Sequence, residues 1–312
     1  ETLDTDVEIY NFADQPFAGA TPYWKLVDLA GKTAAEGTWP ARDIPIGKNI
    51  ALGHVTVDLS KVPAPREYRL VVGLTGTKVE NDWNLWLYPT PAPVNPQAAG
   101  VFETDDWNGA LDYLSKGGKV LYEPGANNLN ASVNPGLDNV PVFWNRQMNP
   151  NVSAMLGLWC NTAHPALAEF PTEGYCDWQW ADMVRGVHAI NLGGVPAGLK
   201  PIVSAVDDWN RNWKLGVIFE AKVGPGRLMV SAIPLLDNRN TPNTAGQLRR
   251  SLLDYMATDK FQPETTLTPE QANAIGTPGT SALPSQPIGA PPPEIDQNPS
   301  LPANAPAPKT GA

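Results

Sequence analysis

Four prolines within eight residues, Pro89, Pro91, Pro93 and Pro96, divide this chain into two stretches with different hydrophobic periods. Before them, apolar residues alternate in the two-residue period of a strand with one buried face. Val7-Glu8-Ile9-Tyr10-Asn11-Phe12, Trp24-Lys25-Leu26-Val27 and His54-Val55-Thr56-Val57-Asp58-Leu59 carry that pattern. Residues 68–74 and 84–88 supply two more strands. Turn chemistry separates these runs at Asp28-Leu29-Ala30-Gly31, Pro45-Ile46-Gly47 and Pro63-Ala64-Pro65.

After the prolines the period changes. Asp105-Asp106 precede Trp107-Asn108-Gly109-Ala110-Leu111-Asp112-Tyr113-Leu114, whose apolar residues recur at helical spacing, and Gly117-Gly118 ends the run. An apolar strand follows at Lys119-Val120-Leu121-Tyr122, which makes a helix–strand unit of the α/β kind. Strands return at residues 201–206, 215–223 and 226–231, the last two joined by a hairpin turn at Gly224-Pro225-Gly226. An amphipathic helix over 245–256 sets Leu248, Leu252, Leu253 and Met256 on one face.

The expected architecture is therefore a multidomain β plus α/β chain. Residues 1–89 form a small β-sandwich of the immunoglobulin type, because short strands recur without a helical stretch. Residues 90–96 form a stiff Pro-rich linker. Residues 97–262 form the α/β domain, with an aromatic, loop-rich insertion over about 126–198. From Pro263 onward there are 12 prolines, five charged residues and no aromatic in 50 residues. Such a segment buries too little apolar surface to offset its ordering entropy, so 263–312 is expected to be disordered apart from a short helical turn over 269–274.

Charge and hydropathy narrow the function classes. A formal charge of −10 with no basic face argues against a nucleic-acid partner. No apolar run approaches the roughly 18 residues of a membrane span. The chain begins at Glu1 with neither an initiator Met nor a leader, so it reads as a mature or excised piece of a longer protein. Cys160 and Cys176 are too sparse for a zinc site. They leave open either a disulfide, which would contribute about 3 kcal/mol in the chain-entropy picture, or two separately buried thiols. No metal and no cofactor is expected.

Eleven tryptophans supply the functional signal. Asp-Trp-Asn occurs at 82–84, 106–108 and 208–210, with a looser copy at Asp177-Trp178-Gln179. An indole beside a carboxylate and an amide suits a saccharide, since the ring covers an apolar sugar face while the neighbours bond its hydroxyls. The same residues also serve as caps, turns and core anchors. The three strict copies fall in three different local contexts: a strand entry, a helix start and a turn. That favours cap and turn chemistry. The strongest saccharide candidates are Trp144, Trp159, His164, Asp177, Trp178, Gln179 and Trp180. Cys160 with His164 and Glu169 is a weaker candidate for nucleophile, base and orienter, because Cys160 lacks the flanking glycines of a nucleophile elbow. Asp207-Asp208 reads as a turn. His54, in a strand, and His188, in a polar loop, are expected to be structural and without partners.

Several strings carry a resemblance. Asn81-Asp82-Trp83-Asn84-Leu85-Trp86-Leu87-Tyr88-Pro89, residues 164–173 with Asp177-Trp178-Gln179-Trp180, Pro201-Ile202-Val203 with Asp207-Asp208-Trp209, and Phe219-Glu220-Ala221-Lys222-Val223-Gly224 with Gly226-Arg227-Leu228 occur in that order. Together, over about residues 5–262, they resemble the C-terminal region of glycoside hydrolase family 2 proteins of the β-galactosidase-like, sugar-binding-domain type. The resemblance implies a modular, secreted or periplasmic enzyme of carbohydrate metabolism. In such an enzyme residues 97–262 are a degenerate glutamine-amidotransferase-like (flavodoxin-like) module and the partner is a catalytic barrel elsewhere in the same protein. The family's acid/base glutamate directly follows an Asn, and this chain has no Asn-Glu dipeptide. Retaining hydrolysis needs two such carboxylates about 5 Å apart. The implied role is thus non-catalytic: structural, substrate-positioning or supporting an oligomer. A stand-alone carbohydrate-binding protein using the 143–180 tryptophans is the alternative, and a Cys/His hydrolase of the amidotransferase-like kind is a third.

Overall fold

The computed structural model describes residues 1–90, 96–97, 99–125, 129, 134–137, 155–208, 211–236 and 244–276. It is a β-rich fold with several sheets, few helices and two separate hydrophobic cores.

The first core lies among eight strands: β1 (Thr2–Asn11), β2 (Phe17–Ala20), β3 (Pro22–Asp28), β4 (Thr33–Thr38), β5 (Arg42–Ile44), β6 (Gly47–Asp58), β7 (Arg66–Leu74) and β8 (Glu80–Leu87). β4-β3-β7-β8 form an antiparallel sheet, β1 pairs with β6, and β2 pairs with β5. Alternation along β7 sends Tyr68, Leu70 and Val72 into the core with Leu26, Ile44 and Val55, while Glu67 and Arg69 take the opposite face. β8 begins four residues earlier than its apolar run suggests, because β7 carries the register back to Gly73 opposite Glu80. Trp83 consequently sits within the strand opposite Leu70, rather than at its entry, and stays about half exposed.

The second core holds β9 (Val101–Thr104), α1 (Trp107–Ser115), β10 (Lys119–Tyr122), β11 (Gly136–Leu137), β12 (Gly157–Cys160), α2 (Ala181–Val184), β13 (Val187–His188), β14 (Ile190–Asn191), β15 (Val203–Val206), β16 (Leu215–Val223), β17 (Gly226–Ser231), α3 (Thr244–Ala257), β18 (Thr266–Leu267) and α4 (Pro269–Gly276). Its main sheet runs β12-β15-β16-β17-β10-β9. β9, β10 and β17 are parallel, while β17-β16-β15-β12 are antiparallel, so the sheet is mixed. α1 starts as its sequence demands: the Asp106 carboxylate accepts from the backbone N–H groups of Asn108 and Gly109, each at 3.0 Å. It stops at Gly117, whose φ of +82° suits a residue without a Cβ. Gly226 is required for space as well as for the hairpin, since a Cβ there would lie 2.6 Å from the Leu114 carbonyl oxygen.

The short helical turn expected over 269–274 forms as part of α4, while the expectation of disorder fails for the rest of 263–276. β18 pairs in parallel with β16, and Leu267, Ala272 and Ile275 are buried in the second core. A capping box starts α4: the Thr268 N–H donates to Gln271 Oε1 at 2.9 Å, and the Gln271 N–H donates back to Thr268 Oγ1 at 3.3 Å. Asn273 on α4 accepts from the Trp107 indole at 3.0 Å, which ties this segment to α1. Residues 277–312 and most of the Pro-rich linker, 91–95, lie outside the described residues.

Both histidines expected to lack partners have them. His54 on β6 bonds Asp4 and, at 2.8 Å, Asp6. Opposed strands carry these residues to one face, and the two carboxylates raise the imidazole above its usual range. His188 belongs to the short strand β13, with Nδ1 2.7 Å from the Asn134 carbonyl.

Candidate functional site

The segment Glu173–Trp180 lies against β8 and forms the seam between the two cores. Asp177 accepts from the Asn84 amide at 2.9 Å, and the Trp178 indole donates to the Asn84 carbonyl at 3.0 Å. Trp178 meets Trp86 edge to face, with centroids 5.2 Å apart and planes 72° apart. Gln179 donates to the Tyr88 hydroxyl at 2.6 Å and to the Pro171 carbonyl at 2.9 Å. Trp180 is fully buried, donates to Thr172 Oγ1 at 2.9 Å and packs on Phe170, which stacks on Tyr88. Asn84, Trp86 and Tyr88 therefore hold Asp177, Trp178 and Gln179, three of the residues that the sequence grouped for a sugar. Those two buried side chains, Gln179 and Trp180, fix the seam and have no surface to offer a ligand.

The rest of the segment remains open. Trp178 is 59% exposed, Tyr175 56% and Trp159 50%. A β-bridge sets Trp159 beside Tyr175. Carboxylates lie among these rings. The Tyr175 hydroxyl faces Glu173, which, with burial second, pushes it up to about 12. Glu67, opposite Trp86 in the β7–β8 register, is almost wholly buried, and neither of its oxygens has a hydrogen-bond partner. Burial first and the Glu173 charge second hold its carboxyl up to about 7, with Asp177 adding to the rise; the Trp86 indole and Arg69 oppose it. Sequence reading did not single out Glu67, Glu173, Tyr175 or Trp86. Alternation along β7 marked Glu67 as facing away from its own core, but nothing local marked what covers it.

His164 stands apart from this patch. It caps the short turn Pro165–Leu167, its Nδ1 accepting from the Ala166 N–H at 3.2 Å. That leaves Nε2 to carry the proton in the neutral ring, 4.0 Å from Glu220 Oε1. The ring rests on Tyr255 with centroids 5.3 Å apart, and the Tyr255 hydroxyl donates to Glu220 at 2.9 Å. Burial pushes the His164 imidazole down and lifts the Glu220 carboxyl to about 7. Trp144 lies outside the described residues, as do Trp209 and Asn210.

Cys160 and Cys176 are both free thiols, so the disulfide is not formed. Cys160 is buried, and burial with the neighbouring Cys176 raises it to about 12. Cys176 Sγ lies 3.3 Å from the Leu158 N–H, which donates to it. Among the described residues no hydrogen bond joins Cys160, His164 and Glu169. Glu169 is held by its backbone, with its N–H donating to Ser251 and its carbonyl accepting from Gln247. A buried thiol held in its protonated form is the opposite of an activated nucleophile. Asp207 and Asp208 form the expected turn: Asp207 accepts from the Trp213 N–H at 2.7 Å and pairs with Arg211, and Asp208 accepts from the Arg211 N–H at 3.0 Å.

Two family models match the chain. One, described as Domain of unknown function (DUF8487), matches residues 101–277, and a second, described as Domain of unknown function (DUF8488), matches residues 1–89. The first covers more than half of the chain, and the chain belongs to the DUF8487 family. No curated protein matches it. Among solved structures, the β-glucuronidase of Parabacteroides merdae with glycerol in its active site is similar at 10% identity, with a TM-score of 0.21. That similarity covers 39% of this chain and 18% of the enzyme, so the chain corresponds to under a fifth of that protein's length. At this TM-score the likeness bears on neither fold nor function.

Proposed function

We propose that this member of the DUF8487 family is a non-catalytic, carbohydrate-related accessory portion of a larger, family 2-like glycoside hydrolase. On this reading residues 1–89 are an immunoglobulin-like sandwich and the second core is a degenerate amidotransferase-like module. Their seam presents Trp159, Tyr175 and Trp178 to a saccharide. The observation that carries the proposal is the contrast within one segment: Gln179 and Trp180 are packed away, while Tyr175 and Trp178 stay more than half exposed beside Glu173 and Asp177. Large rings left open next to hydrogen-bonding carboxylates suit a sugar with an apolar face and a rim of hydroxyls. The ordered strings that resemble family 2 proteins support the choice of ligand class and parent enzyme. A non-catalytic role agrees with the missing Asn-Glu dipeptide and with a Cys160 thiol that is buried and protonated.

Titration with a panel of neutral and charged oligosaccharides, followed by tryptophan fluorescence, tests the reading. Binding should change the emission, and Trp178→Ala should weaken it by about tenfold or more, as loss of one aromatic platform costs on the order of 1–3 kcal/mol. No emission change with any member of the panel at millimolar concentration overturns the proposal.

A further inference from the structure

The seam patch has a charge character that a neutral sugar does not use. Three carboxylates meet there from two separately cored parts of the chain: Glu67 from β7, and Glu173 and Asp177 from the covering segment. Asp177 is satisfied by the Asn84 amide and by the Trp178 N–H. Glu67 is not: it is 1% exposed, both its oxygens lack a hydrogen-bond partner, and the charges of Glu173 and Asp177 act on it. Glu173 Oε2 is also buried without a partner. Arg69, the cation that acts on Glu67, is shared with Asp82 on β8 at 3.8 Å and only partly offsets the rise of the carboxyl. A buried, unpaired carboxylate beside two others is costly unless something positive completes it.

The aromatic side chains are arranged for that completion. Trp86 and Trp178 meet nearly at right angles, with Tyr175 nearby and facing Glu173. The Trp178 indole is fixed by its bond to the Asn84 carbonyl, so its exposed face is held in place before any ligand arrives. Two indoles at a corner, a phenol and a set of carboxylates attract an ammonium group both through the ring faces and through charge. A neutral pyranose would use the rings and bond the carboxylates through its hydroxyls, but bring no positive charge to them.

We infer that the saccharide taken at this seam is cationic: an amino sugar with a free ammonium group, seated on Trp178 and Tyr175 with its charge toward Glu173 and Glu67. The inference rests on the carbohydrate-binding reading above and narrows its ligand class.

The test compares a fully deacetylated glucosamine tetramer with its N-acetylated counterpart and with a glucose tetramer near pH 7, where Glu67 begins to ionise, using calorimetry and tryptophan emission. The cationic tetramer should bind at least about tenfold tighter than either neutral one. Glu173→Gln, at a half-buried position, should remove that preference, bringing the cationic tetramer down to the affinity of the neutral ones. Asp112→Asn, at a remote exposed position on α1, should leave the preference intact and so exclude general attraction to an acidic protein. Equal binding of the cationic and neutral tetramers overturns the cationic inference and leaves the carbohydrate reading standing. A preference that Glu173→Gln does not alter also overturns it. No binding of any tetramer overturns both.

Discussion

Each of the two cores has an arginine–carboxylate pair, and the pairs differ in what surrounds them. In the N-terminal part Arg66 reaches Asp28 at 2.6 Å, but its side chain is 48% exposed. Asp28 closes its own turn, accepting from the N–H groups of Ala30 and Lys32. In the second core Arg249 on α3 grips Glu103 on β9 through two bonds, at 2.7 and 2.6 Å, with both side chains 3% exposed. Glu123, another buried carboxylate beside this pair, accepts from the N–H groups of Leu235 and Leu236 and is lifted by burial to about 8. The first part keeps its ion pairs at the rim of an apolar core. The second builds charge into its interior, where each member depends on its partner. The contrast shows that an arginine–carboxylate distance alone says little about stability; the dielectric around the pair decides.

The largest test of that contrast is Arg249→Met. It strands Glu103 in the second core, and unfolding in urea should show a loss of about 3–5 kcal/mol. Pairing it with Glu103→Leu should restore most of the loss, because the cost lies in the uncompensated charge. A loss under about 1 kcal/mol would mean that Glu103 finds water or another donor.

A second test uses pH. The Glu123 carboxyl titrates at about 8 in the folded protein against an ordinary value of 4.5. Between those values the folded state binds more protons than the unfolded chain, so stability falls as pH rises from 4.5 to about 8. Glu220, lifted to about 7, adds a decline of the same sign. The urea midpoint should therefore drop across this window. Glu123→Gln, which keeps an oxygen for Leu235 and Leu236, should make the drop shallower. A midpoint that climbs across the window contradicts the assignment.

The smallest effect is expected from Arg66→Ala. Its guanidinium is half in water, and Asp28 keeps its two backbone donors. The urea midpoint should stay within measurement error of the parent protein. A loss comparable to that from Arg249→Met would erase the distinction between the two parts.

Much of the local structure was legible in the residues. The Asp106 cap, the Gly117 stop, the β16–β17 hairpin and the Asp207-Asp208 turn each depend on contacts within a few positions. The helical turn over 269–274 was legible too, but a proline-rich average hid that the segment carries its own capping box and packs three buried apolar side chains into the second core. The seam was not legible. Asn84 and Asp177 are 93 positions apart, and no periodicity ties them.

The sequence by itself determined where strands alternate, where helices begin and end, and that indoles gather along the chain near residue 178. Only the tertiary structure decided which of those groups face water. Trp178 and Trp180 sit in one Asp-Trp-Gln-Trp string, yet one is 59% exposed and the other fully buried. Caps and turns are settled by neighbours along the chain, so local residue types encode them. Burial and charge pairing are settled by what packs from elsewhere: β8 arriving beneath Trp178, β9 arriving beside Arg249, and Glu67 enclosed by a segment about a hundred residues away.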